Sequence, residues 1–147
     1  MPFKKILCAV DFSDQSNAAF RHAVDMAEKS SASLFILHAL EVQPLVAQWV
    51  APEGLSDLTM EIEHRAQQAM DSLQDSLGAK LSKLKVKTEI TSGRAFTEII
   101  ENARVWGADL IVMGGQGAGA LEDVPLGSTV DRVLADSSCS VLVVRSN

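Results

Sequence analysis

The fold of this chain is indicated most clearly by Asp109-Leu110-Ile111-Val112-Met113-Gly114-Gly115-Gln116-Gly117, followed after nine further residues by Gly127-Ser128. The apolar run predicts a buried strand, and the glycines after it have the spacing G-x2-G-x9-G-S. Glycine has no Cβ and reaches positive φ, so such a loop can bring backbone N–H groups close to an anion. Because a helix is predicted from Ser128, a nucleotide phosphate is the first ligand to consider, and a surface loop with turn glycines is the alternative.

Apolar segments of strand length alternate with segments of helical periodicity along the rest of the chain. The predicted strands are 6–10, 33–40, 85–91, 109–113 and 140–145, and the predicted helices are 14–30, 56–77, 95–106 and 128–136. A long irregular connection, 41–55, precedes the second helix, and Gly78 is its expected stop. This order predicts an α/β protein, a Rossmann-like five-stranded parallel sheet with helices on both faces.

Right-handed crossovers favour the strand order 3-2-1-4-5. In that order the topological switch point lies between the first and fourth strands, where ligands bind at the carboxyl ends of the strands. Asp11 follows the first strand and Gly114 follows the fourth. Two segments about a hundred residues apart are therefore expected to meet at one crevice.

Composition narrows the class of protein. The 147 residues are expected to form a single domain, 1–147, and the net charge of −6 argues against nucleic-acid partners and anionic membranes. No run approaches the roughly 18 apolar residues of a membrane helix, and the apolar segment near Met1 is too short for a signal-peptide core. We therefore expect a cytoplasmic protein without membrane insertion, in which Cys8 and Cys139 are buried thiols.

The chain resembles the universal stress proteins over essentially its full length. The matching segments are 6–13, 37–39, 108–117, 126–128 and 139–145. The G-x2-G-x9-G-[ST] pattern is similar to that of the branch of the family that binds ATP. The resemblance implies an adenine nucleotide α-hydrolase-like fold with ATP, ADP or AMP as the ligand.

The resemblance also implies roles for individual residues. Asp11 would face the ribose or adenine, with Ala9 and Val10 beside it, and the Ala39 backbone would meet the adenine edge. Met113 would pack on the nucleoside. The ribose and phosphates would be held by Gly114, Gly117, Gly127, Ser128 and Thr129.

The glycine loop departs from the family in its charge. Gln116 and Ala118 stand where the family commonly has a histidine and a basic residue, and no Lys or Arg occurs between Val105 and Asp131. Glu122 and Asp123 add negative charge to the loop. No metal site made by side chains is expected, so a Mg²⁺ ion held by the phosphates near Asp11 would be needed to balance a triphosphate. We expect ATP binding to depend on Mg²⁺, with ADP or AMP as effective competitors.

The last predicted strand indicates a surface through which two copies of the chain could pair. In the order 3-2-1-4-5 it lies at an edge of the sheet, and unprotected apolar edges pair with other chains. The resemblance implies a homodimer through this strand. Its residues are Val141, Leu142, Val143 and Val144.

The leading functional hypothesis is a nucleotide-binding regulatory module of the stress response, which acts on an unidentified protein partner. No catalytic residue is assigned, because the glycines are not followed by a phosphate-binding lysine and no paired carboxylates accompany Asp11 and Asp14. Two alternatives stay open. One is a slow ATPase or nucleotidyl-transfer enzyme, and the other is a dimeric structural protein that has lost nucleotide binding.

Overall fold

The computed structural model describes residues 3–41, 52–116 and 126–145. Within these ranges, five parallel strands form one sheet in the order β3-β2-β1-β4-β5. This is the predicted order. The elements are β1 (Lys5–Ala9), α1 (Asp14–Ser30), β2 (Ser33–Leu40), α2 (Pro52–Asp75), α3 (Gly78–Leu81), β3 (Val86–Ser92), α4 (Ala95–Trp106), β4 (Leu110–Gly114), α5 (Ser128–Asp136) and β5 (Ser140–Val144).

Strand β1 lies in the middle of the sheet and is buried on both faces. Ile6 and Cys8 pack into a cluster with α1 and the C-terminal half of α2. Leu7 and Ala9 pack into a second cluster with α4 and α5 on the opposite face. A continuous apolar run is therefore required, since each face of a central parallel strand is covered by helices.

Two of the predicted helix ends have the capping residues that are typical of such positions. The Ser13 side chain accepts a hydrogen bond from the Ser16 N–H and caps α1. Helix α4 ends at Gly107, whose φ of 81° lies in the left-handed region that glycine adopts without a Cβ penalty. These caps fix where α1 and α4 meet the sheet.

Two predicted boundaries of the second helix are wrong. The helix begins at Pro52 rather than Ser56, in keeping with the preference of proline for the first turn. It ends at Asp75, where the Ser76 hydroxyl donates to the Leu73 carbonyl (2.6 Å). Gly78 is the first residue of α3 and not a stop signal. The helix therefore ends before Gly78 is reached.

Burial of Cys8 makes the stability of the fold depend on pH. Desolvation raises the pKa of the Cys8 thiol from 9.0 to about 12. The unfolded chain ionises this thiol above about pH 9 while the folded chain keeps it neutral, so stability present below pH 9 is lost as the pH rises towards 12. We expect the free energy of unfolding to fall by about 1.4 kcal/mol per pH unit in this window. Urea unfolding at pH 8 and pH 10 measures this loss. A Cys8→Ala variant with the same pH dependence as the wild type would contradict the prediction.

Candidate functional site

A cavity of about 640 Å³ lies at the carboxyl edge of the sheet, at the switch point between β1 and β4. The ends of β1, β2 and β4 form its floor, and the first residues of α4 and α5 form its wall. Nine of the ten predicted ligand-binding residues line it, while Gly117 lies outside the described residues. The nine are Ala9, Val10, Asp11, Ala39, Met113, Gly114, Gly127, Ser128 and Thr129.

Asp11 is held in place by the first turn of α1. The Ser13 N–H donates to Asp11 Oδ1 (3.0 Å), and the Ser13 hydroxyl donates to the same oxygen. The Asp11 N–H donates to the Oγ of Ser16, which is 3% exposed. Between them Phe12 has a φ of 66°, a left-handed conformation that is unusual for a bulky residue. Such strain often marks functional loops, and here it accompanies the turn that brings Asp11 to the cavity.

His38 connects β2 to this turn. Its Nδ1 lies 2.7 Å from the Val10 carbonyl oxygen, which can only accept, so Nδ1 carries a proton. The His38 ring also contacts the Phe12 ring, with 4.6 Å between the centroids. Because Nδ1 is already engaged, His38 acts first as a structural support for the loop between β1 and α1, although it also lines the cavity.

Gly114 allows β4 to approach the start of α1 closely. A Cβ on Gly114 would lie 2.9 Å from the carbonyl carbon of Gln15 and 3.0 Å from the Ser16 nitrogen. The Gln15 side chain also accepts from the Gln116 N–H (2.9 Å). The first glycine of the motif is therefore needed for packing, and it brings the loop after β4 next to the turn that holds Asp11.

Gly127 positions the N-terminus of α5 at the opposite wall. Its N–H donates to the Gly115 carbonyl (2.8 Å) and is not available to a ligand in this arrangement. It occupies the N-cap position without a side-chain hydrogen bond. The next residues, Ser128 and Thr129, line the cavity. The backbone N–H groups of a first helical turn have no intrahelical acceptor, so this end of α5 is suited to an anion.

The charged side chains that line the cavity are both acidic. They are Asp11 and Glu41, and no Lys or Arg is among the described lining residues. Arg132 and Arg94 do not line the cavity, and their guanidinium groups lie 4.2 Å and 6.0 Å from the centre of the Phe96 ring. An anionic ligand would therefore be met by helix N–H groups rather than by a basic side chain.

Within residues 3–41, 52–116 and 126–145, no group of three or more His, Cys, Asp or Glu is arranged to hold a metal ion. Across the same residues, none of the helices has both the length and the apolar character needed to cross a membrane.

Sequence reasoning missed several residues around the cavity. Ser16 and Gln15 look like ordinary helix residues, and their contacts with Asp11 and Gln116 form only when the chain is folded. Glu41 follows β2 and accepts a hydrogen bond from the Ala95 N–H at the start of α4. A polar residue directly after a parallel strand is a signal that could have pointed to Glu41.

The strand order and the crevice at its switch point define a Rossmann-like α/β protein with a pocket of ligand size. Residues 2–145 match the Universal stress protein family, and the chain belongs to that family.

Individual relatives agree with this assignment. Universal stress protein MJ0531 of Methanocaldococcus jannaschii is 35% identical over 144 residues, which cover 97% of this chain and 82% of the relative. The structure of universal stress protein UspA from Lactobacillus plantarum has a TM-score of 0.85 at 28% identity and covers 99% of both chains. The structure of MJ0577 from M. jannaschii has a TM-score of 0.86 at 27% identity, covering 100% of this chain and 99% of the other.

Proposed function

We propose that this universal stress protein binds an adenine nucleotide in the carboxyl-edge cavity and acts as a regulatory module in the stress response. One observation carries the proposal. The N-terminus of α5, with Ser128 and Thr129, lines the same cavity as Asp11 and has no side-chain cap. A helix N-terminus without a cap favours the negative charge of a phosphate. The cavity volume of about 640 Å³ is in the range of small-molecule sites.

The arrangement supports a direction for the ligand. The phosphates would lie at Ser128 and Thr129, with Gly114 and Gly127 shaping this end and Gly117 as a further expected contact. The ribose would lie near Asp11, and the base would extend past Val10 towards Ala39. Met113 would pack against the nucleoside. Ligand binding would change the surface around the cavity, and a protein partner could recognise that change.

Mg²⁺ is the expected companion of a triphosphate here. Asp11 and Glu41 are the charged residues among those described at the cavity, and both would repel phosphates. A divalent cation bridging the phosphates near Asp11 would offset this repulsion. AMP carries less charge, and we therefore propose that its affinity depends less on Mg²⁺ than that of ATP.

We also propose that the protein forms a homodimer through β5. This strand is at one edge of the sheet, and no strand lies beyond it in the part of the chain that the structure describes. Val141, Leu142 and Val143 are only partly buried. Pairing with β5 of a second copy would cover this edge.

Thermal unfolding with ATP, ADP and AMP, each with Mg²⁺ and with EDTA, tests the nucleotide proposal. A ligand at 100 times its Kd stabilises a protein by about 2.7 kcal/mol, which raises the Tm of a chain of this size by roughly 5–10 °C. We expect such a rise with ATP and Mg²⁺ and a smaller rise with ATP in EDTA. No shift with any of the three nucleotides at millimolar concentration would contradict the proposal.

A charge placed at the α5 N-terminus provides a sharper version of this test. Ser128→Asp puts a carboxylate where the phosphate is proposed to lie, so the ATP-induced rise in Tm is expected to disappear while the fold is retained. Thr97→Asp is the matched control, since it adds the same charge to the first turn of α4 at an exposed residue that does not line the cavity. An equal response of both variants to ATP would argue against phosphate binding at α5.

A further inference from the structure

Two helix N-termini line the cavity. Helix α4 begins at Ala95 and α5 begins at Ser128, and both residues line the cavity. Each N-terminus favours negative charge because its first N–H groups point out of the helix. On backbone geometry alone, an anionic group could bind at either N-terminus.

Glu41 removes this ambiguity. Its carboxylate lines the cavity and accepts a hydrogen bond from the Ala95 N–H, so it occupies the N-terminus of α4. Helix α5 has no side-chain cap at Gly127. At the cavity, the N-terminus of α4 is therefore already occupied by a carboxylate, whereas no side chain caps the N-terminus of α5.

We infer that Glu41 is a specificity-determining residue, which orients the nucleotide and rejects ligands that carry a phosphate on the ribose 2′ or 3′ position. This inference rests on the proposed function, because it requires the 5′-phosphates to lie at Ser128. In this arrangement we place the ribose hydroxyls at Asp11 and Glu41, the two carboxylates among the described residues that line the cavity. A carboxylate accepts hydrogen bonds from ribose hydroxyls, whereas it repels a phosphate in their place.

The repulsion is not offset by nearby side chains. No Lys or Arg is among the described residues that line the cavity, and Arg94, next to Ala95, lies over the Phe96 ring. Two like charges at a partly exposed site interact strongly enough to change affinity by at least about tenfold. Adenosine 3′,5′-bisphosphate and adenosine 2′,5′-bisphosphate should accordingly bind about tenfold more weakly than AMP.

Calorimetric titration of the full chain with AMP and both bisphosphates tests the inference. In Glu41→Gln the amide oxygen can still accept from Ala95, but the charge is removed. We expect Glu41→Gln to bind AMP more weakly than the wild type, because the ribose loses a charged acceptor, while the tenfold preference for AMP over the bisphosphates falls to about threefold or less. Glu89→Gln is the control for net charge, because Glu89 is exposed on β3 and does not line the cavity. It should keep the wild-type preference.

The outcomes separate the two proposals. Binding of AMP with the same preference in the wild type and Glu41→Gln would overturn the role of Glu41 and leave the proposed function intact. Absence of AMP and ATP binding to the wild type would overturn both. A second test needs no variant and follows the preference of the wild type for AMP as the ionic strength is raised. An electrostatic preference must shrink between roughly 50 mM and 500 mM salt, because the Debye length falls roughly threefold over this range. A preference unaffected by salt would contradict the inference.

Discussion

Gly114→Ala is expected to destabilise the protein by about 1–3 kcal/mol, the usual range for forcing an extra methyl group into a packed site. The new Cβ would lie 2.9 Å from the Gln15 carbonyl carbon and 3.0 Å from the Ser16 nitrogen. These are backbone atoms of the first turn of α1, which cannot move away as a flexible side chain could. Helix α1 and the end of β4 must separate, and the turn that holds Asp11 moves with them.

Urea unfolding at a fixed protein concentration measures this effect, and Gly78→Ala is the matched control. A Cβ on Gly78 meets no atom within 4 Å, and the residue is exposed at the start of α3. Alanine is favoured over glycine in helices, so this variant should be unchanged or slightly more stable. If Gly114→Ala were as stable as the wild type, the close approach of β4 to α1 could not explain the first glycine of the motif.

Val143→Pro is expected to convert the proposed β5 dimer into a folded monomer of 15.8 kDa. The Gly115 N–H donates to the Val144 carbonyl (3.0 Å), so the backbone of Val144 faces β4. Backbone groups alternate in direction along a strand, and Leu142 therefore faces β4 as well, while Val141 and Val143 face the open edge. Proline at Val143 removes an outward N–H and places its ring where a second chain would pair.

Leu142→Pro is the comparison variant, because it removes an N–H that faces β4. It is expected to cost at least about 1 kcal/mol for the lost hydrogen bond. Light scattering at micromolar concentration, combined with urea unfolding, distinguishes the two variants. A wild-type mass of 15.8 kDa would contradict the β5 dimer. A Val143→Pro variant that stays dimeric would show that another surface forms the contact.

The sheet order could be predicted because its determinants are local in the sequence. Continuous apolar runs such as 6–10 and 109–113 indicate strands covered on both faces, and the handedness of crossovers limits their order. The meeting of Asp11 and Gly114 at one cavity follows directly from that order. This part of the candidate site is therefore a consequence of topology and needs no knowledge of side-chain contacts.

The contacts that shape the site could not be predicted, because they join residues far apart in the sequence. Gln15 and Gln116 are separated by 101 positions, and His38 and Val10 by 28. The left-handed φ of Phe12 could not be predicted either, because an aromatic residue gives no indication of a positive φ. Gly127 was expected to contact the ligand, yet its N–H donates to Gly115, a bond visible only once β4 and α5 are placed together.

The most direct test of the account follows the backbone amides of Ser128 and Thr129 by ¹⁵N–¹H NMR during titration with ATP and Mg²⁺. The account predicts that both amides shift in a saturable manner, because they would donate to phosphate oxygens, and that adenosine without phosphate leaves them nearly unchanged. Saturable ATP binding that leaves both amides unshifted would contradict the claim that α5 receives the phosphates.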